Sequence, residues 1–355
     1  MTRMSPPDGK MPQSHEIATP TTVFPPSRTP PHPAGGTSMT ASFTRRGATT
    51  KSRMAPVGAI AVAGALLLTG CGDQTDKATG GSTTNTAPLF RQLPKEIQSA
   101  GVIKVGSDIN YPPVEFKKNG KVMGIDPDLA DALGKVLGVK FEFNNGTFDT
   151  LLSGLRSKRY DIAMSAMTDN KGRQEGVDPE TGKKAGEGVD FVDYFTAGVS
   201  IYTKKGDTKG IKTWDDLCGK KIVVQRGTVS HDLAKTESKK CVKHKKGKIS
   251  VEAFGNDTEA QTRLRGGGAV AGSSDFPVAA YAVKTSGGGK DFQLVGEQVE
   301  AAPYGIAVAK KNTQLRDALK QALALIIANG EYDKVIAKWG VQDGAVTKAV
   351  INGGK

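Results

Sequence analysis

The sequence contains no apolar run long enough to cross a membrane and few residues of the types that bind metals. Its clearest apolar stretch, residues 55–68, is 14 residues long, whereas a membrane-spanning helix needs about 20. There are three cysteines and four histidines among 355 residues, and Cys241 with His244 supplies only half of a typical zinc site. We therefore expect no metal and no other cofactor.

Aromatic residues make up only 6% of the sequence, although the formal net charge is +13. Much of the positive charge lies in one run, residues 235–248, which contains no interleaved aromatic residue. Proteins that bind single-stranded nucleic acid need aromatic side chains for base stacking beside the charge. We therefore interpret the run as a solvated helix face and loop, and we expect no nucleic acid partner.

What the chain does contain is a pattern typical of export. Basic residues between Arg45 and Arg53 precede the apolar residues 55–68, which end in Leu68-Thr69-Gly70-Cys71. This order is typical of a secretory signal peptide, and the last four residues resemble a bacterial lipobox, in which the cysteine is lipidated. We expect an extracytoplasmic protein anchored to the cell membrane by a lipid on Cys71. The alternative is a short buried helix with a core cysteine.

The segments on either side of this pattern have the composition of unfolded chain. Residues 1–38 are rich in Pro, Ser and Thr, so we expect them to be disordered and regard Met39 as a candidate start of translation. Residues 39–70 are then the signal peptide and residues 71–95 a flexible tether. The rest of the chain is long enough for one large or two ordinary domains.

After lipidation of Cys71, Cys218 and Cys241 are the only cysteines left in the mature chain. In an oxidising compartment we expect them to form a disulfide. The bridge would close a loop of about 24 residues, which stabilises a fold by roughly 3 kcal/mol in the chain-entropy model.

Short strand patterns alternate with helical patterns through the rest of the chain. Residues 102–105 are a β-branched run, and Asp126-Pro127 is typical of a helix N-cap followed by proline. The alternation predicts an α/β fold, in which binding sites lie at the carboxyl ends of the strands. The polar, Gly-rich residues 176–188 interrupt it and are predicted to form a surface loop.

Four segments place polar residues directly after predicted strands, and they begin at Asp108, Ser165, Gln225 and Ser274. An α/β sheet collects its ligand groups at this edge. The third segment also precedes a helix, whose first N–H groups can bind an anion. Each residue alone also has a plain structural interpretation: a helix N-cap for Thr228 or Asp275, a solvated loop for Arg173, and the core for Tyr111 or Phe148.

Taken in order, the segments resemble the bacterial extracellular solute-binding proteins of family 3, the amino-acid receptors of ABC importers. The resemblance runs from Val102 to Trp339. Its first motifs are Asp108-x-x-Tyr111-x-Pro113, Gly124-Ile125-Asp126-x-Asp128-Leu129, Ser165-x-Met-Thr168 with Arg173, and Asp190-Phe-Val-Asp-Tyr-Phe195. The later ones are Leu217-Cys-Gly-Lys-Lys-Ile-Val-Val-Gln-Arg-Gly-Thr228, Asp275-x-Pro-Val-Ala-Ala-Tyr281 and Tyr304-Gly-Ile-Ala307.

The fold that this resemblance implies is a two-lobed α/β fold of the periplasmic-binding-protein-like type II. The first lobe is discontinuous and comprises residues 96–198 and 301–342, the second lobe comprises residues 199–300, and residues 343–355 are a C-terminal tail. The two connecting strands should cross between the lobes near residues 195–199 and 300–304.

The resemblance also implies a ligand site between the lobes. Arg173 would hold the α-carboxylate of an amino acid, Asp275 its ammonium, Tyr111 and Phe148 the two sides of its side chain, and Asp108 the far end. The full set of predicted binding residues is Asp108, Tyr111, Phe148, Ser165, Thr168, Arg173, Gln225, Thr228, Val229 and Asp275. Gln225 replaces the Lys or Leu of some relatives, and Val229 replaces a frequent hydroxyl residue, which bears on specificity.

The implied function is that of a monomeric substrate-binding lipoprotein that captures a free amino acid and delivers it to the permease of an ABC importer. Because Asp108 favours a side chain that donates hydrogen bonds, a basic amino acid or glutamine is favoured. Two alternatives stay open. One is a periplasmic dehydratase-like enzyme with Asp108 or Glu115 as its acid–base group, although we expect no enzyme. The other is a ligand-sensing subunit of a membrane receptor.

Replacing the lipidation candidate tests the predicted anchor. Cys71→Ala should release the protein from membranes or leave its signal peptide uncleaved, because alanine cannot accept a lipid. Membrane fractionation with immunoblotting, against the unsubstituted protein, measures both outcomes. A Cys71→Ala protein that is mature and still tightly membrane-bound would contradict the anchor.

Overall fold

The computed structural model describes residues 85–355, so the predicted signal peptide, Cys71 and most of the predicted tether lie outside the described residues. The helices are α1 (Lys95–Ala100), α2 (Ile125–Leu137), α3 (Leu151–Arg156), α4 (Lys171–Glu175), α5 (Val229–Lys243), α6 (Asp257–Arg265), α7 (Phe276–Thr285), α8 (Thr313–Ala328) and α9 (Glu331–Trp339). The strands are β1 (Val102–Ser107), β2 (Asn110–Tyr111), β3 (Glu115–Lys118), β4 (Lys121–Met123), β5 (Lys140–Asn145), β6 (Ile162–Ala163), β7 (Val189–Lys204), β8 (Lys221–Gln225), β9 (Ser250–Phe254), β10 (Ala271–Asp275), β11 (Phe292–Ala309) and β12 (Val350–Ile351).

Two long antiparallel strands, β7 and β11, connect the two halves of the structure. The strand order is β5-β1-β6-β11-β7-β10-β8-β9. One end of the long pair joins the parallel strands β6, β1 and β5, and the other end joins β10, β8 and β9. The register shifts on both sides of the Val199↔Val299 pair, where the chain passes from one set of neighbours to the other. The predicted arrangement of two α/β lobes joined by two strands is confirmed.

Lobe 1 is built on an apolar layer between its strands and the helices α1, α2, α8 and α9. Leu129, Leu133 and Leu137 form the inward stripe of α2 and are at most 1% exposed. They belong to the same buried cluster as Leu319 and Leu323 of α8. The spacing of four residues places the α2 leucines on one helix face, which is why the apolar periodicity predicts this helix correctly.

The start of α2 differs from the sequence prediction. The helix begins at Ile125 with Gly124 as its N-cap, so Asp126 lies inside the first turn. Its buried carboxylate accepts hydrogen bonds from the Tyr194 hydroxyl, at 2.7 Å, and from the Ala166 N–H, at 3.2 Å. The prediction of Asp126 as N-cap is therefore wrong, because long-range partners take the carboxylate away from the helix end.

Lobe 2 contains the cysteine pair. The structure joins Cys218 to Cys241 on α5, with 5.6 Å between their Cα atoms. Cys241 is buried beside Leu217 and Ile249 in the lobe 2 core. The bond therefore ties the helix that carries the basic run to the segment before β8.

Two segments outside the regular alternation also have defined positions. Residues 176–188 form a loop on lobe 1, and Glu180 in this loop pairs with Lys235 of lobe 2 at 2.8 Å. Within the predicted C-terminal tail, β12 pairs antiparallel with β7. Among the helices formed by residues 85–355, none combines the length and the hydrophobicity that crossing a bilayer requires.

Candidate functional site

The predicted binding residues meet where the lobes face each other. Eight of the ten line one small cavity together with Ala166: Tyr111, Phe148, Thr168, Arg173, Gln225, Thr228, Val229 and Asp275. They come from the carboxyl ends of β8 and β10 in lobe 2 and from the segments after β1, β5 and β6 in lobe 1. This is the sheet edge at which α/β proteins collect ligand groups.

The cavity is closed tightly by contacts between the lobes. The Gln225 amide donates to the Asp108 carboxylate at 2.6 Å, and Arg173 Nη2 donates to the Gly227 carbonyl at 3.0 Å. The Asp275 N–H approaches the Tyr111 hydroxyl at 3.4 Å. The enclosed volume is about 10 Å³, less than an amino acid needs, so a ligand can enter only when the lobes separate.

Arg173 stands between the two lobes. It lies on α4, whose N-cap Asn170 accepts from the Arg173 N–H at 2.9 Å. Its Nη1 donates to the Thr168 carbonyl at 2.7 Å, and its guanidinium carbon lies 5.3 Å from the centre of the Phe148 ring. Burial lowers the pKa of Arg173 from its ordinary value, but an arginine stays charged in a protein. A guanidinium has five N–H donors, so the bonds to Thr168 and Gly227 leave others for an anion.

Asp275 faces this guanidinium from lobe 2. The residue occupies the N-cap position of α7, but its side chain makes no capping bond. Its carboxylate instead accepts from the Tyr304 hydroxyl at 2.8 Å. Burial raises the pKa of Asp275 to about 6, although the Tyr304 bond and Arg173 oppose this shift. A buried carboxylate in this setting gains most from a cationic partner.

Asp108 and Ser165, the two predicted residues that do not line the cavity, lie next to it. Asp108 is buried and accepts from the Asn110 amide at 3.1 Å as well as from Gln225. Burial raises the pKa of Asp108 above its ordinary value. The Ser165 hydroxyl accepts from the Asp108 N–H at 3.0 Å and donates to Glu115 at 2.7 Å. The structure thus places Ser165 behind Asp108, as a support rather than as a lining residue.

Thr228 is the N-cap of α5, which is the structural role that the sequence indicated for it. Its hydroxyl accepts from the His231 N–H at 3.2 Å and donates to the Gln225 carbonyl at 2.8 Å. The first N–H groups of a helix have no partner within the helix. Thr228 and Val229 therefore bring the electropositive start of α5 to the cavity beside Arg173.

The sequence reasoning missed Asp257, the first residue of α6. Asp257 is fully buried, and one carboxylate oxygen accepts from the Gln261 amide at 2.6 Å. Within the described residues its other oxygen, Oδ1, has no hydrogen-bond partner. Burial, assisted by the charges of Asp275 and Asp108, raises the pKa of Asp257 to about 7. Two residues separate Asp257 from the end of β9, so the rule that found the other segments could have found it.

Comparisons with known proteins agree with this geometry. Residues 103–342 match the family model of "Bacterial extracellular solute-binding proteins, family 3". The chain is 30% identical over 262 residues to the arginine-binding protein ArgT of Corynebacterium glutamicum, covering 73% of this chain and 81% of that protein. Solved structures of an ancestral arginine-binding protein, one bound to arginine and one to glutamine, are 37% and 36% identical. Both have a TM-score of 0.59, and they cover 67% and 68% of this chain and 98% of theirs.

Proposed function

This chain belongs to the bacterial extracellular solute-binding proteins of family 3, and we propose that the amino acid it binds has a cationic side chain, with arginine as the first candidate. Its type II fold and its relatives make it an amino-acid-binding protein of the kind that serves ABC importers. The proposal concerns which amino acid is bound, which residues bind it and how the lobes respond.

The observation that carries the proposal is the imbalance of charge in the cleft. Asp108, Asp257 and Asp275 are three buried carboxyls, and the charges of Asp108 and Asp275 are close enough to raise the pKa of Asp257. Arg173 is the cation that acts on Asp275. A zwitterionic backbone brings one charge of each sign and leaves this excess unchanged. A cationic side chain reduces it. An acidic side chain would add a further negative charge next to Asp108, and glutamine would supply donors without charge.

The ligand backbone is held, in this proposal, by groups on opposite lobes. Arg173 on lobe 1 binds the α-carboxylate through a bidentate pair, assisted by Thr168 and by the start of α5. Asp275 on lobe 2 binds the α-ammonium. Because both charges are paired only when the lobes are closed, ligand binding favours closure.

The ligand side chain then extends between Tyr111 and Phe148 toward Asp108 and Asp257. Phe148 already stacks a guanidinium, that of Arg173, at 5.3 Å, and aromatic faces attract cations generally. The Gln225–Asp108 bond closes the far end in the present structure. A guanidinium group can replace that bond by donating to Asp108 itself.

We infer that the protein is a receptor and not a dehydratase-like enzyme. Of the two acid–base candidates, Glu115 is fully buried and bonded to Ser165, away from the cavity lining. Asp108 is bonded to Gln225 and Asn110. We further propose that a lipid on Cys71 anchors the protein outside the cytoplasm, where the Cys218–Cys241 bond persists, and that it acts as a monomer that delivers its ligand to an ABC permease.

A thermal-shift screen of the twenty amino acids tests the ligand directly. For a protein comprising residues 87–355, a ligand at one hundred times its dissociation constant should add about 2.7 kcal/mol to the free energy of unfolding. Arginine should give the largest shift, and it should be recovered chemically unchanged after long incubation. A largest shift from an acidic or aliphatic amino acid would refute the cationic ligand, and conversion of arginine to a product would refute the receptor.

Substitution of the two anchors tests the site. Arg173→Ala and Asp275→Asn should each weaken arginine binding by about 3–5 kcal/mol, because each leaves a buried ligand charge without its partner. This corresponds to a loss of about a hundredfold to a few thousandfold in affinity. Calorimetry measures the loss, with the exposed Arg91→Ala and Asp131→Asn as matched controls. Losses below tenfold in both anchor variants would place the ligand elsewhere.

Arginine binding should weaken as the pH falls from about 8 to about 5. Burial raises the pKa of Asp257 to about 7 and that of Asp275 to about 6, so both carboxyls take up protons over this range. A cationic ligand needs them ionised, and the proton must leave before it binds. We expect at least a tenfold loss of affinity by calorimetry and a shallower profile for Asp257→Asn. An affinity that is constant over this range would contradict the role of the buried carboxylates.

A further inference from the structure

A short segment beyond the region that matches the family model contacts the elements that carry Arg173. The family match ends at residue 342, whereas residues 352–354 bind both β7 and the residues around α4. The predicted C-terminal tail is therefore hydrogen-bonded to lobe 1 beside the cleft.

Asn352 fixes this segment to β7. Its side-chain oxygen accepts from the Phe191 N–H at 2.8 Å, and its amide donates to Asp190 Oδ1 at 3.0 Å. Its backbone N–H donates to the Phe191 carbonyl at 3.1 Å. One asparagine thus makes three bonds to two neighbouring residues of the long connecting strand.

The backbone N–H groups of the two glycines after Asn352 donate to two buried carboxylates. The Gly353 N–H donates to Asp193 Oδ2 at 2.9 Å, and the Gly354 N–H donates to Asp169 Oδ2 at 2.8 Å. A Cβ atom on Gly354 would lie 2.1 Å from the Asp169 carbonyl oxygen, so the contact with this backbone excludes any side chain there. The close approach therefore depends on glycine at this position.

Asp169 and Gln174 link these contacts to the segment that contains Arg173. The Gln174 amide donates to Asp169 Oδ1 at 2.7 Å and to the Gly354 carbonyl at 3.2 Å. Gln174 directly follows Arg173 on α4, and Asp169 directly follows Thr168, whose carbonyl accepts from Arg173 Nη1 at 2.7 Å. Both ends of the segment that orients Arg173 are thus bonded to one network with Gly354.

We propose that residues 352–354 position Arg173 and thereby determine how strongly the protein recognises the ligand carboxylate. The inference rests on the proposed role of Arg173 as carboxylate anchor. In this inference residues 352–354 contact no ligand group and act through Asp169 and Gln174. Loss of the segment should therefore weaken recognition of the carboxylate and leave recognition of the ligand side chain intact.

The test compares arginine with argininamide, which lacks the carboxylate charge, in the full-length protein and in the variants Gly354→Ala and Asn352→Ala. Lys348→Ala, at an exposed position shortly before the segment, is the matched control. Calorimetry should show at least a tenfold loss for arginine in both variants, with argininamide affinity changed less than twofold and the control unchanged. The preference for arginine over argininamide should fall by the same factor.

Other outcomes separate the possibilities. Equal losses for both ligands would show a general stabilising role and overturn the positioning role, as would unchanged affinities for both. An unsubstituted protein that binds the two ligands equally would refute the role of Arg173, and this inference with it.

A measurement made without ligand also tests the positioning role of residues 352–354. Hydrogen–deuterium exchange of residues 168–175 should be faster in Asn352→Ala, the milder variant, than in Lys348→Ala. Exchange that stays the same in this segment would overturn the positioning role even if Gly354→Ala fails to fold.

Discussion

The excess of buried negative charge over positive charge in the cleft is the constraint on which the rest of the site depends. Asp108, Asp257 and Asp275 are all buried, and burial is the largest cause of the raised pKa of each. Such groups lose hydration without gaining a matching cation. Arg173 offsets part of this charge, and each carboxyl also accepts from a neutral donor: Asp108 from Gln225, Asp257 from Gln261 and Asp275 from Tyr304. Within the described residues Asp257 Oδ1 still lacks a partner. The site is therefore neither fully hydrogen-bonded nor balanced in charge, which is the condition that the proposed cationic ligand relieves.

In the proposed mechanism, ligand binding moves the lobes at the two connecting strands. β7 and β11 continue through both lobes, so the lobes share a backbone ladder rather than a flexible linker. The ladder loses its regular register on both sides of Val299, and once more in lobe 1 between Tyr304 and Gly305. The two shifts at Val299 lie where the chain passes between the lobes, so rotation can concentrate there, while α4 with Arg173 and the strand ends with Gln225 and Asp275 move as parts of their lobes.

Local patterns predicted most of the fold, and long-range contacts account for what they missed. β8 comprises Lys221–Gln225, an apolar run bounded by turn residues, which is a local pattern typical of a strand. Residues 296–301 of β11 are all exposed, so they lack the alternation of buried and exposed residues by which a strand is predicted. β11 is held there by its pairing with β7, which no local pattern reveals.

The positions of the proposed binding residues divide in the same way. The residues that follow strands could be placed at one site from order and resemblance, because the sheet brings strand ends together whatever the details of packing. The support role of Ser165, the buried position of Asp257 and the contact between Gly354 and Asp169 depend on residues 50 or more positions apart or on the depth of burial. Gly-rich residues at the end of a chain have the composition of a loose tail, and only their partners show otherwise.

Beneath the site, lobe 1 carries a pair of buried acids, Glu115 and Asp126, whose negative charges oppose each other. Burial raises the pKa of Glu115 well above its ordinary value, and the charge of Asp126 raises it further. Two like charges in a buried site each disfavour the ionised form of the other. Asp126 accepts from Tyr194 and from the Ala166 N–H, and Glu115 accepts from the Ser165 hydroxyl. Because the Ser165 hydroxyl in turn accepts from the Asp108 N–H, this pair of acids supports the backbone of Asp108 behind the cavity.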